Sequence, residues 1–207
     1  MSDIKNIEQH YSLDERPFLE KVRGFCQLVD DRYSPYLTDF LNPREIQIVE
    51  ELAHYYNLKF FVSSTLESEE YGRVILAPEY YELDDEDFEI KRLEISYARQ
   101  FNKLTHPKVL GALINQLGLD RQVFGDIILD EEGRVQFSIA SHLASYAIMT
   151  ITKIGNVSVT LKEVSKDDWI SNQENYSQSF VLLSSMRLDN VLATVLNLSR
   201  SNALKLI

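Results

Sequence analysis

Near its middle the chain reads Phe124-Gly125-Asp126-Ile127-Ile128-Leu129-Asp130-Glu131-Glu132-Gly133-Arg134-Val135-Gln136-Phe137-Ser138-Ile139. Phe124 to Leu129 is a compact apolar strand. Asp130 to Gly133 supplies turn residues for a hairpin. Val135, Phe137 and Ile139 then alternate with polar residues, the period of a strand with one buried face. Upstream, Leu93, Ile95 and Tyr97 alternate with Glu94 and Ser96, and Leu110, Leu113, Ile114 and Leu117 make a helical stripe closed by Gly118. Downstream, Ala144, Ala147, Ile148 and Ile151 make a second stripe that ends near Gly155, and Val157, Val159 and Leu161 alternate again. The order predicts a ferredoxin-like β-α-β-β-α-β middle domain over residues 87–165, an arrangement shared by many RNA-binding domains. In the commonest of these, aromatic residues on the open sheet stack bases. Here the corresponding face carries Arg134, Gln136 and Ser138, so RNA contact is expected from the basic helix edge and loops instead.

Ahead of this domain, Phe18, Val22, Phe25 and Val29 predict a helix from about Glu15 to Arg32, broken by Ser34 and Pro35. Asn42, Pro43 and Glu45 form an N-cap, a first-turn proline and a capping box for a second helix. Its expected inner face is Ile46, Val49, Ala53 and Tyr56, and Asn57 is its expected stop. Lys59 to Ser63 and Arg73 to Ala77 read as strands joined by a polar loop. Helix, helix, strand, strand gives a small N-terminal α/β unit over residues 1–80. The run Glu79 to Glu89 holds seven acidic residues and no basic one. It reads as a solvated border, because its carboxylates do not follow a calcium-loop spacing. Ser165 to Ser179 is polar and contains Trp169, and Phe180 to Leu183 is expected as a short strand. The fold class is α+β throughout.

The 207 residues carry a net charge of −11, which opposes strong nonspecific affinity for nucleic acid. The acidic excess is local, however. Lys103, Lys108 and Arg121 fall in a segment, Tyr97 to Gly125, whose one acid is Asp120. Arg187, Arg200 and Lys205 share the final stretch with Asp189 alone. The single cysteine, Cys26, excludes an internal disulfide framework and reads as a buried apolar residue. No apolar run reaches membrane-span length and no secretion signal opens the chain, so a cytoplasmic protein without a membrane partner is expected. His10, His54, His106 and His142 lack metal-ligand spacing. No cofactor, metal or small-molecule substrate is expected.

The final stretch runs Met186-Arg187-Leu188-Asp189-Asn190-Val191-Leu192 through Leu198-Ser199-Arg200-Ser201-Asn202-Ala203-Leu204-Lys205 to Ile207. Leu188, Val191, Leu192 and Val195 predict one helix. Ser199 caps a second, with Ala203, Leu204 and Ile207 expected inward. The pattern Arg-Leu-Asp, apolar helix, Ser-Arg, second helix resembles the alpha-L RNA-binding motif, the S-four-type domain of a ribosomal protein, tyrosyl-tRNA synthetases and pseudouridine synthases. Residues 180–207 would be its first half, a partial helical hairpin cut before the glycine turn and strands of the family pattern. In this reading Asp189 ties the turn before the first helix. Ser199 presents the second helix's N-terminus to a phosphate, with Arg200 and Lys205 adding charge beside it, and Arg187 and Ser201 are further candidate RNA-binding residues.

Thr38-Asp39-Phe40-Leu41-Asn42-Pro43-Arg44-Glu45, the segment His106-Pro107 to Asp120-Arg121, and Phe124-Gly125-Asp126-Ile127 together resemble the bacterial YlmH family over nearly the whole chain. The resemblance implies an RNA-binding factor, its family encoded near cell-division genes; the lack of nucleophile, metal and cofactor motifs predicts that it is not an enzyme. Its implied partners are ribosomal RNA or tRNA and the large ribosomal subunit carrying stalled peptidyl-tRNA, in ribosome-associated quality control. Two other readings remain. One is an RNA-modifying enzyme of pseudouridine synthase type, for which Asp126 is the best candidate catalytic residue, although a turn role suits it better. The other is a cell-division scaffold acting through protein contacts.

Overall fold

The computed structural model describes residues 11–64, 69–170 and 180–207, which fall into two compact units, 1–172 and 173–207. In the first unit, α1 (Arg16–Arg32) and α2 (Pro43–Tyr55) flank β1 (Tyr36–Leu41), and β2 (Lys59–Val62) and β3 (Gly72–Ala77) follow. These strands form an antiparallel sheet in the order β1-β3-β2. The capping box of α2 forms as its sequence requires: Glu45 N donates to Asn42 Oδ1 at 2.9 Å, and Asn42 N donates to Glu45 Oε2 at 2.9 Å. Asn57, at φ 54°, takes the left-handed conformation just beyond the helix.

Strand β1 is absent from the sequence-based expectation, which has helix, helix, strand, strand. Its apolar alternation is broken by a register shift between Leu37 and Phe40, so Thr38 and Asp39 fall out of period. The buried stripe of α1 is Leu19, Val22, Cys26 and Val29. The expected Phe18 and Phe25 lie half-buried at its rim, Phe25 stacked on Tyr36 at 4.3 Å between ring centroids. Both stripes satisfy helical spacing, and the larger rings suit the edge of a crowded seam. Likewise Ile48 and Leu52 join Val49 and Ala53 inside, while Ile46 and Tyr56 are only partly covered. Burial pushes the Cys26 thiol up to about 11.

The second half of the unit runs β4 (Ile90–Ser96), α3 (His106–Leu117), β5 (Phe124–Leu129), β6 (Val135–Ala140), α4 (Ser141–Thr150), β7 (Lys153–Ile154), β8 (Val157–Ser158) and β9 (Thr160–Glu163). Four strands make an antiparallel sheet in the order β5-β6-β4-β9. Leu93, Ile95, Phe124, Val135, Phe137 and Ile139 turn to one side and bury against Val109, Leu113 and Leu117 of α3 and Ala144 and Ala147 of α4. The expected strand through Val157, Val159 and Leu161 is split. Gly155, at φ 59°, lets β7 and β8 form a separate hairpin, and only Thr160–Glu163 joins the sheet. A continuous alternation in sequence does not reveal that its first half pairs backwards.

The opposite face of this sheet is polar and yet enclosed. Arg92 is 3% exposed, and Gln136 and Ser138 are 0% exposed. Trp169 lies against the Arg92 guanidinium at 4.2 Å, and Ile170 N donates to Gln136 Oε1 at 3.0 Å. Arg92 also pairs with Glu69, both side chains being 2% exposed. Phe40 of β1 closes over Gly125 and Ser138. The acidic run ahead of β4 is mostly exposed but contains a short turn, Asp85–Phe88, whose Phe88 is buried.

In the second unit, α5 (Leu188–Val195) and α6 (Arg200–Ala203) are joined through Asn197 at φ 52°. Residues 180–183 form no strand, contrary to the sequence reading: they have no pairing partner among the described residues, and Leu182 is 100% exposed. Of the residues expected inward on the second helix, Ala203 is buried, whereas Leu204 and Ile207 are 54% and 63% exposed. Of the polar stretch Ser165 to Ser179 that ends the middle domain in the sequence, residues 171–179 lie outside the described residues.

Candidate nucleic-acid interface

In the terminal hairpin, α5 begins at Leu188 with Arg187 as its N-cap residue, so Asp189 falls in the first turn. Its carboxylate accepts from two arginine side chains and, among the described residues, from no backbone N–H of that turn. Arg187 Nε donates to Asp189 Oδ1 at 3.0 Å, and Arg200 Nε donates to Asp189 Oδ2 at 2.8 Å. The Asp189 side chain is 5% exposed, while those of Arg187 and Arg200 are 67% and 61% exposed. The hydrogen bond from Arg187, then that from Arg200, holds the Asp189 carboxyl down at about 2. One enclosed anion thus aims two exposed guanidinium groups. The terminal N–H groups of Arg200 meet no other acceptor among the described residues. Two such planar donors carry one net positive charge and match the geometry of a phosphate.

Ser199 caps α6 by accepting from Asn202 N at 3.3 Å, and its hydroxyl lies 3.1 Å from that of Ser201. Because α6 is a single turn, it aligns few peptide dipoles, so the charge of this surface comes from the arginines rather than from the helix end. Lys205 is exposed just beyond it.

On the middle module, Lys103 and Lys108 are exposed and come together around a depression of about 480 Å³ between α3 and the β7–β8 hairpin. Arg121 does not join them. Its guanidinium donates to the Phe124 carbonyl and lies over the Tyr71 ring at 4.1 Å. The sequence reading grouped the three by proximity along the chain. It had no signal for Tyr71, fifty residues earlier, as the group that captures Arg121.

Asp126 sits at a register irregularity between Phe124 and Ile127. Such a bulge turns a side chain out of the sheet's alternation. The carboxylate accepts from Glu70 N at 2.5 Å and Tyr71 N at 3.3 Å, which ties the loop before β3 to the start of β5. Both irregular strand stretches, Thr38-Asp39-Phe40 and Phe124-Gly125-Asp126, therefore face one another where the two sheets meet. Arg73 is buried beside them, donating to Thr38 O at 2.8 Å and Phe88 O at 3.0 Å, and burial lowers its affinity for its proton.

The geometry describes an α+β protein with a sealed sheet, a cation-rimmed helix edge and an arginine-bearing hairpin, a design suited to holding RNA backbone rather than stacking bases on a sheet. Residues 84–168 match a family profile described as "Putative RNA-binding domain in YlmH". Over 204 residues the chain is 31% identical to the "Ribosome-associated protein quality control protein P2" of Bacillus subtilis (strain 168), covering 99% of this chain and 79% of that protein. It superposes on the solved structure "Cell division protein ylmH from Streptococcus pneumoniae" with a TM-score of 0.70 and 40% identity, covering 78% of this chain and 98% of that one. The chain belongs to the YlmH family. No helix among the described residues is long and apolar enough to cross a membrane.

Proposed function

We propose that this protein is a cytoplasmic, ribosome-associated RNA-binding factor that engages the large ribosomal subunit carrying stalled peptidyl-tRNA, within quality control of translation. The name of the Bacillus subtilis relative supports the ribosomal setting. The observation that carries the reading is the pair of exposed arginines oriented by the enclosed Asp189. In a chain of net charge −11, a small cationic surface with fixed geometry favours one structured phosphate site over indiscriminate attraction to nucleic acid. The strand order β5-β6-β4-β9, with two helices behind it, supports reading the middle module as ferredoxin-like, with the β7–β8 hairpin inserted before its last strand. Its enclosed polar face supports an approach of RNA from the helix side. The protein acts as a binding factor with no catalytic centre of its own. The engagement of Asp126 with two backbone amides supports a structural role for that residue.

The test is sedimentation of the tagged protein with separated ribosomal subunits. Arg200→Ala is expected to weaken association by about 1–3 kcal/mol, the usual size for a hydrogen bond to a charged group. The salt dependence should become shallower by about one unit of slope, and adding Arg187→Ala should weaken binding further. Uridine-containing RNA incubated with the protein should stay unmodified. Unchanged association of the double variant would remove the hairpin from the RNA interface.

A further inference from the structure

The depression between α3 and the β7–β8 hairpin has a layered chemistry. Leu104 and Ile154, 2% and 1% exposed, form its apolar floor, with Ala112 and Val157 beside them. Around them stand exposed polar side chains: Lys103 and Lys108, and the amides of Asn115, Gln116 and Asn156. Gln116 Nε2 donates to Lys153 O at 2.8 Å, which ties α3 to the hairpin. Some cations of this acidic chain are engaged: Arg44, Lys91, Arg134 and Lys162 each hold a carboxylate. Among the described residues Lys103 and Lys108 hold none.

Two further features single out this place. Gly111 lies inside α3 and lines the depression, yet a Cβ added there would meet nothing within 4 Å. Glycine weakens a helix interior, and no packing contact here requires it; what its missing side chain leaves is open volume. Phe101, two residues before Lys103, is 80% exposed, and Arg99 beside it is exposed as well. Aromatic residues interleaved with cations are the chemistry by which proteins hold unpaired nucleic-acid strands.

We infer that this depression receives one unpaired RNA nucleotide, its base against the apolar floor and its phosphate between Lys103 and Lys108. Phe101 offers its ring to a neighbouring base. The amides of Asn115, Gln116 and Asn156 present both donors and acceptors to the base's edge, and so supply a preference among bases that lysines alone cannot. The inference rests on the RNA-binding reading above and adds to it a second, single-stranded contact separate from the arginine pair.

The test measures binding of the whole protein to a labelled, unstructured oligoribonucleotide of about ten residues, and to the same sequence as a duplex. Gly111→Leu fills the depression with an apolar side chain, and Lys103→Glu/Lys108→Glu reverses its rim. Each is expected to weaken single-strand binding by about tenfold or more, comparable to losing the contacts of one base. Gly111→Leu should leave thermal stability equal or higher, which separates occlusion from unfolding. No single-strand preference in the parent protein, or parent-like affinity in both variants, overturns the inference. Sedimentation with the large ribosomal subunit separates the two readings. If the arginine double variant loses the subunit while the depression variants bind the oligoribonucleotide as the parent does, only the nucleotide site fails. If the parent sediments with neither subunit yet the depression variants lose the oligoribonucleotide, the ribosomal role fails and the nucleotide site stands.

Discussion

Gly125→Ala tests whether the polar face of the four-stranded sheet is sealed by the first sheet. A Cβ at Gly125 would lie 2.7 Å from Phe40 Cε1 and 2.9 Å from Ser138 Cβ. Ordinary carbon contacts are about 3.5–4.0 Å, so something must move by close to an ångström. Phe40 is 2% exposed and Ser138 0% exposed, so neither can swing into solvent. Overpacking of this kind costs about 1–3 kcal/mol. Replacing glycine restricts the unfolded chain and returns about 0.4–1 kcal/mol. The net loss should be about 1–2 kcal/mol, a fall in melting temperature of about 2–8 °C for a chain of this length. Denaturant unfolding followed by the fluorescence of Trp169, the one tryptophan, reads the same face directly. Phe40→Leu should relieve the clash, so the double variant should be more stable than the sum of single effects by at least about 0.5 kcal/mol. Parent-like stability of Gly125→Ala, or strict additivity with Phe40→Leu, would refute the packing. The part of the face around Gly125 and Ser138 would then be open, and with it a route for RNA that the present structure closes.

Asp189→Asn should loosen the terminal hairpin. The folded-state carboxyl is held down at about 2. Its contribution is therefore complete above the ordinary carboxylate range and is lost as pH falls toward that value. Amide exchange over residues 188–203 should speed up in the variant at neutral pH, and the acid-induced loosening expected of the parent should be absent from it; unchanged exchange would refute the pairing. Asp126→Ala should cost about 1–2 kcal/mol in denaturant unfolding, because the amides of Glu70 and Tyr71 lose their acceptor, and Asp126→Asn, which keeps an acceptor oxygen, should recover part of the loss.

Much of the fold was legible because local signals agreed with the final packing. The capping box at Asn42 and Glu45, the stop at Gly118 and the turn ending at Gly133 each require only residues a few positions apart. β1 was hidden because its bulge breaks the two-residue period. The β7–β8 hairpin was hidden because alternation does not report direction. The arginines of the terminal hairpin were legible as charges, but their shared partner was not: Asp189 stands eleven residues from Arg200, and only the turn between the helices brings them within 2.8 Å. The separation of Arg121 from Lys103 and Lys108 was illegible for the same reason, since it depends on Tyr71 across the sheet interface.

The closure of the middle sheet by Trp169 and Ile170 has a consequence for the order in which the chain can fold as it is made. β4 must await β6, more than forty residues later, and the part of the polar face around Gln136 stays uncovered until Ile170 has emerged to meet it. During synthesis at about 5–20 residues per second, that face spends seconds in water. An apolar surface in that position would be a target for association with other nascent chains. Gln136 remains well solvated while it waits. The composition of the face thus suits its history during synthesis as well as its final, enclosed position.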